Sequence, residues 1–309
     1  MNWRPEGFDD YPAHFPRTPT LAPDPDRAWS ARFAEAWREG PAAAADSFGS
    51  RASHTTIVCV RGFLGHYMPG YMWDALRALR RAGFDALLAR NSPVDTVSEN
   101  VERIAADIAG RQTRERLVFC GHSRGGLESL TLLAWHPSLA SRCDGVALSQ
   151  TPRGSSRIME SVLQRRHAAS LRGARRRAAE VGQRVGVTLL GARRAGSELT
   201  SPAWHAAVER VSDIAWQFPV LQTASWSSTP TTWLESFHAR LHQIAPGRAH
   251  DGQFFLDELI WPGLPHVLLP EVDHAQPAMG GHGFDSGLYW LCVLRVLFAV
   301  DSVARRAPC

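Results

Sequence analysis

The most constraining feature of this sequence is an alternation between short apolar runs and segments with helical periodicity. Six runs are rich in β-branched or other apolar residues and are therefore predicted to be strands. They span residues 55–60, 84–89, 116–120, 145–150, 218–226 and 266–272. Segments with apolar residues at helical spacing separate most of these runs, as crossover helices would. The pattern predicts an α/β protein with a mostly parallel six-stranded sheet and helices on both faces.

The alternation starts late in the chain and is interrupted once. Residues 1–50 contain a stretch rich in proline and aromatic residues, followed by a segment with helical spacing. We expect them to form an arm and a helix that pack on a core domain spanning residues 51–309. Residues from about 153 to 215 lack a convincing strand and have high helix propensity. They are therefore expected to form a helical insertion between the fourth and fifth strands.

Composition and length place the chain among globular proteins that bury a large core. It has 309 residues, of which 44% are hydrophobic. Of its five cysteines, Cys59 and Cys120 lie in predicted strands, and buried free thiols are expected there. The first residues lack the apolar stretch of a signal peptide. The longest apolar run, Leu288–Val300, is too short to span a membrane and contains Arg295. We expect a cytoplasmic protein without a transmembrane segment, with signal-independent secretion left open.

The positive charge is concentrated in one part of the insertion. The chain has a net charge of +4 and contains no lysine, so all 34 basic residues are arginine. Residues 157–194 alone carry +8, which leaves −4 for the rest. A solvated helix surface explains this cluster, and an anionic surface or an acyl carrier is the alternative partner. Nucleic acid is not an expected partner, because no pattern of aromatic and basic residues accompanies the arginines.

The sharpest local signal is a G-x-S-x-G motif, Gly121-His122-Ser123-Arg124-Gly125, between the third predicted strand and a helix. A tight strand-to-helix turn forces Ser123 into strained dihedral angles and raises its hydroxyl above the sheet edge. Small flanking residues keep this turn clear of the neighbouring strands. The helix N-terminus behind it offers N–H groups to a developing oxyanion. A glycine-rich turn with an incidental serine is the alternative interpretation.

This motif and its surroundings resemble the α/β-hydrolase superfamily, and within it the bacterial triacylglycerol lipases. The likeness runs from about residue 55 to residue 296, and the six strands would correspond to strands three to eight of that fold. The resemblance implies an oxyanion hole made by the backbone amides of Phe63 and Arg124. The family usually has His-Gly in the loop before the first of these amides, whereas this chain has Arg61-Gly62.

The remaining catalytic residues follow from the chain order of the family, which is serine, acid and histidine. His274 lies in the loop that follows the last predicted strand and is the expected base, with His282 as the alternative. Asp251 precedes Gly252 and resembles the Asp-Gly motif of the lipases, so it is the expected acid. The alternative acids are Asp257, Glu258 and Glu235. Asp273 is expected to cap a turn.

The resemblance implies a serine carboxylester hydrolase of the lipase or esterase kind that works through an acyl-enzyme intermediate. A small-molecule or lipid ester would be its substrate, and the insertion at 153–215 would form a lid. The lipases often bind calcium through a carboxylate two residues beyond the base, where this chain has Gln276. We therefore expect no metal and no cofactor. An acyltransferase with the same triad and a catalytically silent binding protein are the alternatives.

Overall fold

Six parallel strands form a single sheet with the order β2-β1-β3-β4-β5-β6. The computed structural model describes residues 3–24, 28–163, 191–200, 202–229 and 234–304. The strands are β1 (Thr55–Val60), β2 (Asp85–Leu88), β3 (Arg116–His122), β4 (Cys143–Ser149), β5 (Val220–Trp226) and β6 (His266–Pro270). Every neighbouring pair of strands is parallel. The predicted α/β architecture with a six-stranded parallel sheet is confirmed.

The helices surround this sheet. In chain order, the described α-helices are α1 (Tyr11–His14), α2 (Trp29–Asp46), α3 (Arg51–His54), α4 (Trp73–Arg81), α5 (Val97–Ala109), α6 (Arg124–Trp135), α7 (Pro137–Ala140), α8 (Arg157–Leu163), α9 (Arg193–Glu198), α10 (Ala203–Ser212), α11 (Glu235–Ile244), α12 (Leu256–Leu259), α13 (Gln276–Met279) and α14 (Ser286–Ala304). Helix α2 is interrupted at Gly40, which has a φ of 85° and is followed by Pro41. Proline lacks the N–H that a continuous helix needs.

Two apolar layers cover the two faces of the sheet. On one face, Trp29 of α2, Leu79 of α4 and Trp290 of α14 pack in one core cluster. On the other face, Ile104 of α5 and Leu130 of α6 belong to a second cluster. All six residues of β1 are buried, as expected for a central strand with both faces covered. The uninterrupted apolar runs of the sequence thus reflect burial on two sides.

The ends of the last two strands differ by two residues from the sequence prediction. Strand β5 begins only after Pro219, which has no N–H to donate to a neighbouring strand. Strand β6 ends at Pro270, because Glu271 has a φ of 52° and leaves the extended conformation. The chain therefore turns early after β6, and this brings the segment that follows over the carboxyl edge of the sheet.

Residues that precede β1 cover the edge strand β6. The Leu268 amide donates to the Ser30 hydroxyl at 3.0 Å, and the Trp3 indole donates to the Pro270 carbonyl at 2.8 Å. The Trp3 ring also contacts Trp37, with ring centroids 4.6 Å apart. An unpaired strand edge is a site for association with other chains. Here side chains from the start of the sequence occupy part of that edge.

The described part of the insertion is helical and contains no strand. Of its arginines, Arg157 pairs with Glu160 at 3.1 Å, and Arg194 pairs with Glu99. Most of the arginines in the segment predicted to be basic lie outside the described residues, so its anionic partner stays a prediction. Within the described ranges, no helix combines the length and the hydrophobicity needed to cross a membrane.

The turn between β3 and α6 depends on glycines that bring backbones into direct contact. A Cβ atom at Gly125 would lie 2.3 Å from the Val60 carbonyl oxygen, and one at Gly121 would lie 2.4 Å from the Gly126 Cα. At Gly126, it would meet the Thr151 hydroxyl at 1.9 Å. Cβ contacts under 3.0 Å require the neighbouring atoms to move, and backbone atoms cannot move cheaply. These glycines let α6 begin directly against the sheet.

Replacing Gly125 with alanine should therefore destabilise the protein. We expect Gly125→Ala to lower the free energy of unfolding by about 3 kcal/mol or more, because the added methyl group overlaps the β1 backbone. Urea denaturation measures this loss. Gly110→Ala is the matched control, since its nearest contact would be at 3.4 Å. Equal stability of the two variants would contradict the close packing of α6 on β1.

Candidate active site

Ser123 occupies the turn between β3 and α6 in a strained conformation. Its φ of 56° and ψ of −128° are unusual for a residue with a side chain. Such a conformation costs about 1–3 kcal/mol and persists only where the surroundings enforce it. Its amide donates to the Ser149 carbonyl of β4 at 2.8 Å, which fixes the turn to the sheet. The residue is 8% exposed. Its side chain lines a cavity at the carboxyl edge of the sheet.

Asp251 and His274 are held together by two contacts. The Nδ1 atom of His274 lies 2.7 Å from Oδ2 of Asp251, and the His274 amide donates to the Asp251 carbonyl at 2.8 Å. The other carboxylate oxygen accepts the amides of Gln253 and Phe254, both at 2.8 Å. Asp251 is fully buried and His274 is 4% exposed. The carboxylate is thus fixed by backbone donors and directs one ring nitrogen of His274.

The alternative acids and the alternative base lie in other environments. Arg248 binds both oxygens of Asp257, at 2.9 and 2.6 Å, and also contacts Glu258 at 3.3 Å. His282 is exposed and does not line the Ser123 cavity. Glu235 lies in the first turn of α11. The structure therefore brings Ser123 together with the hydrogen-bonded pair Asp251 and His274. It does not bring the alternative acids or the alternative base to this place.

Asp273 caps the turn next to His274, as the sequence predicts. Its Oδ1 atom accepts the amides of Ala275 and Gln276, at 3.0 and 3.2 Å. The Gln276 side chain in turn accepts the Asp273 amide through Oε1, at 2.9 Å. Both side chains are therefore used in holding the turn. This reciprocal arrangement resembles a capping box and fixes the segment that carries His274.

The cavity in front of Ser123 and His274 is small and mainly apolar, with a volume of about 220 Å³. Phe63, Leu64 and Met68 line it on one side. Helix α8 of the insertion contributes Ile158, Met159 and Val162. Only a few polar side chains, including Gln253, interrupt these walls. An apolar pocket with few polar groups is typical of a site for small organic ligands.

The loop after β1 packs directly against Ser123. A Cβ atom at Gly62 would lie only 2.9 Å from the Ser123 Cβ and 2.8 Å from the Tyr71 hydroxyl. The amides of Phe63 and Arg124 follow Gly62 and Ser123 in the chain. Neither amide donates to an acceptor anywhere in the described residues. Both are therefore free to bind an oxygen atom of a ligand.

A buried charged cluster supports the start of α6. The Nε atom of Arg124 lies 2.9 Å from Oε1 of Glu128, and both side chains are almost completely buried. The Asn91 and Asn100 amides each donate to one Glu128 oxygen, both at 2.8 Å. Burial raises the pKa of the Glu128 carboxyl, and the charge of Arg124 opposes this rise. Removing one partner would leave a buried charge unpaired, which is strongly destabilising.

The same arginine ties the loop after β2 to the candidate oxyanion loop. Its guanidinium donates to the carbonyls of Ser92 and Asp95, both at 3.1 Å. The guanidinium carbon also lies 5.5 Å from the centre of the Phe63 ring, within the range of a cation–π contact. Arg124 therefore contributes to the site through its side chain as well as through its amide.

Tyr71 and His122 form a second buried polar group beside Ser123. The Tyr71 hydroxyl accepts the Gly62 amide at 3.1 Å and lies 2.5 Å from Nδ1 of His122. The Nε2 atom of His122 lies 2.9 Å from the His274 carbonyl and 3.1 Å from the Gln150 side-chain oxygen. Burial, together with the charge of nearby His274, lowers the pKa of His122 to about 3.

The sequence contained signals for some of these supporting residues. The chain has only three asparagines, and two of them, Asn91 and Asn100, bind the same carboxylate. Arg124 and Glu128 are charged residues four positions apart in an otherwise apolar helix, which favours a buried pair. Nothing local in the sequence marks Tyr71 as a partner of the residue before the motif serine.

Several solved structures have a fold similar to that of this chain. Similar structures include a metagenomic carboxyl esterase, the mature form of a Bacillus licheniformis lipase and a Staphylococcus hyicus lipase. Their TM-scores are 0.60, 0.55 and 0.51, at 18%, 16% and 11% sequence identity. The matches cover 80%, 77% and 82% of this chain, and 76%, 92% and 96% of those chains. This chain has the α/β-hydrolase fold.

The fold resemblance predicted from the sequence is thereby confirmed, although the sequence itself carries little direct similarity. No protein-family model matches it, and no curated protein matches it. In the parts of this protein that the structure describes, no group of three or more His, Cys, Asp or Glu side chains is arranged to hold a metal ion.

His250, next to Asp251, is a buried histidine without a polar partner. It is 0% exposed, and neither ring nitrogen has a hydrogen-bond partner in the described structure. Its ring packs against His238, at 4.4 Å between centroids, and against Phe15 at 5.8 Å. Burial, together with the charge of His238, lowers the pKa of His250 to about 3. The ring is thus neutral in the folded protein at ordinary pH.

This depressed pKa predicts a loss of stability in mild acid. Below pH 6.5 the unfolded chain binds a proton at His250 that the folded protein does not, so the stability falls as the pH falls. His250→Phe removes this proton uptake. Between pH 7 and pH 5, the free energy of unfolding of this variant should fall by about 2 kcal/mol less than that of the wild type, as measured by urea denaturation at both pH values.

His54→Gln is the control for this comparison, because His54 is exposed in the folded protein. Its stability difference between pH 7 and pH 5 should equal that of the wild type. If the free energy of unfolding of His250→Phe fell as much between pH 7 and pH 5 as that of the wild type, this would contradict the description of His250 as a buried, neutral side chain.

Proposed function

We propose that this protein is a serine carboxylester hydrolase of the lipase or esterase kind. One observation carries the proposal. The hydrogen bond from His274 to Asp251 lies at a cavity that is also lined by Ser123, at the tip of a strained strand-to-helix turn. A nucleophile, a base and a carboxylate that orients the base are the three groups that acyl transfer through serine requires.

The first step uses His274 as the general base. Asp251 accepts a hydrogen bond from Nδ1, so a neutral ring carries its proton there and leaves a lone pair on Nε2. We propose that Nε2 removes the hydroxyl proton of Ser123 while the serine oxygen attacks the ester carbonyl carbon. The carbonyl π electrons move onto its oxygen, and Asp251 stabilises the imidazolium that forms.

The second part of the reaction depends on backbone donors. The free amides of Phe63 and Arg124 would bind the negatively charged oxygen of the tetrahedral intermediate. The intermediate collapses, the bond to the leaving alcohol breaks, and His274 gives its proton to that alcohol. Water then attacks the acyl-enzyme with His274 again as the base, which releases the acid and restores Ser123.

The size of the cavity supports an ester with a short or medium acyl chain. At about 220 Å³ the cavity is smaller than the roughly 300–1,000 Å³ that is typical of ligand pockets, which favours a small substrate. Apolar side chains line most of the space, which favours a hydrocarbon chain over a charged group. The wall formed by α8 limits the length of this chain, so a longer chain requires α8 to move as a lid.

The similar structures support the same reaction class. The metagenomic protein is a carboxyl esterase, and the proteins from Bacillus licheniformis and Staphylococcus hyicus are lipases. At these sequence identities, the structural similarity alone indicates the fold but not the reaction. The proposal therefore rests on the site geometry, and the shared fold makes the assigned positions of nucleophile, acid and base consistent with one another.

Replacing the nucleophile provides the first test. We expect Ser123→Ala to reduce the kcat for p-nitrophenyl butyrate by about 10³-fold or more, because no acyl-enzyme forms. Ser129→Ala is the control, since Ser129 is buried in the same helix and its hydroxyl donates to the Gly125 carbonyl. It should keep wild-type kcat within a factor of two. Undiminished turnover by Ser123→Ala would refute the proposed nucleophile.

The dependence on acyl length provides a second test. Esters with four to eight acyl carbons should have kcat/KM at least about 10-fold higher than p-nitrophenyl palmitate, because the longer chain exceeds the cavity. Steady-state rates for a series of p-nitrophenyl esters measure this preference. Equal kcat/KM for octanoate and palmitate would contradict the fixed cavity and would favour the predicted lid movement instead.

A further inference from the structure

A continuous run of buried hydrogen bonds joins the loop that carries Phe63 to the loop that carries His274. The Gly62 amide donates to Tyr71 at 3.1 Å, and the Tyr71 hydroxyl lies 2.5 Å from Nδ1 of His122. The Nε2 atom of His122 then lies 2.9 Å from the His274 carbonyl. Tyr71 is 5% exposed and His122 is 2% exposed, so little water competes for these bonds.

The partners of His122 determine the direction of every bond in this run. Its Nε2 atom contacts two oxygens, those of the His274 carbonyl and the Gln150 side chain. The orientation of Gln150 is settled because its amide nitrogen donates to the Asp273 carbonyl at 3.2 Å. Nε2 therefore carries the proton, and Nδ1 of the neutral ring accepts. The Tyr71 hydroxyl must then donate to Nδ1, which leaves its oxygen to accept the amide from the oxyanion loop.

The sheet alone does not set the distance between the two loops. The Phe63 loop follows β1, and the His274 loop follows β6. Strands β3, β4 and β5 lie between them in the sheet. Contacts across this gap, such as the hydrogen bond from the Met72 amide to the Ala278 carbonyl at 2.7 Å, therefore help to fix the separation of the two loops. Tyr71 and His122 provide a further link above the end of β3, where Ser123 also lies.

We propose that Tyr71 and His122 are positioning residues that fix the oxyanion amide of Phe63 relative to the base His274. This inference rests on the proposed function, because it assigns the two residues a role in the same reaction. The pair acts through Gly62 on one side and through the His274 carbonyl on the other. A misplacement of about 1 Å between reacting groups can cost about 100-fold in rate, so loosening this link should slow the chemical step.

The chain offers a matched control for the loss of a buried tyrosine hydroxyl. Tyr289 is fully buried, and its hydroxyl lies 2.7 Å from the hydroxyls of both Ser149 and Thr223. These partners belong to β4 and β5, which the sheet already holds side by side. Removing the Tyr289 hydroxyl breaks buried hydrogen bonds as in Tyr71, but it releases no loop of the site.

The first experiment compares Tyr71→Phe with Tyr289→Phe in the whole protein. Tyr71→Phe should lower kcat for p-nitrophenyl butyrate about 10-fold and change KM by less than about two-fold, because it misplaces a transition-state donor. Tyr289→Phe should keep kcat within about two-fold of the wild type. Thermal unfolding of both variants shows whether each is folded at the assay temperature.

The second experiment is a double-mutant cycle with His122→Gln. If Tyr71 and His122 act as one link, either replacement breaks it. The fold-decrease in kcat of the double variant should then be about the same as that of the more damaging single variant. It should be much smaller than the product of the two single decreases. Multiplied losses would show that the two residues act independently and would overturn the proposed link.

The remaining outcomes separate this inference from the proposed function. A wild-type kcat in Tyr71→Phe, or an equal fall in Tyr71→Phe and Tyr289→Phe, overturns the positioning role while leaving the triad intact. A wild-type protein without ester turnover overturns the proposed function, and the positioning role with it. A selective fall in kcat for Tyr71→Phe, together with non-additive losses in the cycle, supports the link.

Discussion

The reversal of the chain at Ser123 is the constraint on which the rest of the site depends. A positive φ at this residue lets α6 start immediately after β3, within backbone contact of β1. The glycines on both sides are needed because any Cβ there would overlap neighbouring atoms. The strain in this one residue is offset by the packing of a whole helix against the sheet. As a result, a hydroxyl and a free helix N-terminus lie at the same sheet edge.

Buried polar contacts hold the loops around this turn. Asp251 is fixed by backbone amides and binds His274 through one side-chain and one main-chain hydrogen bond. Arg124 forms an ion pair with Glu128 within α6 and also ties the start of α6 to the loop after β2 by donating to the Ser92 carbonyl. Such groups are costly when a partner is missing, so each network has to form as a unit. This favours one rigid geometry, which electrostatic stabilisation of a transition state requires.

The parts of the fold and the site that could be predicted from the sequence are those encoded by residues close together in the chain. The six strands are uninterrupted apolar runs, and the turn at Ser123 is a contiguous motif. His274 could be predicted because it lies in the loop that follows the last predicted strand. Tyr71 and His122 lie 51 positions apart, and His122 lies 152 positions from His274. No periodicity or spacing links residues at such separations, because the sheet order and the loop conformations bring them together.

The central claim is that Ser123 is an activated nucleophile, and covalent labelling tests it most directly. A fluorophosphonate reacts with a serine hydroxyl only where a base and an oxyanion hole assist the attack. Mass spectrometry of the treated protein should show one adduct, located on the peptide that contains Ser123. Denatured protein should show none. No adduct on the folded protein, or an adduct on another residue, would contradict the account.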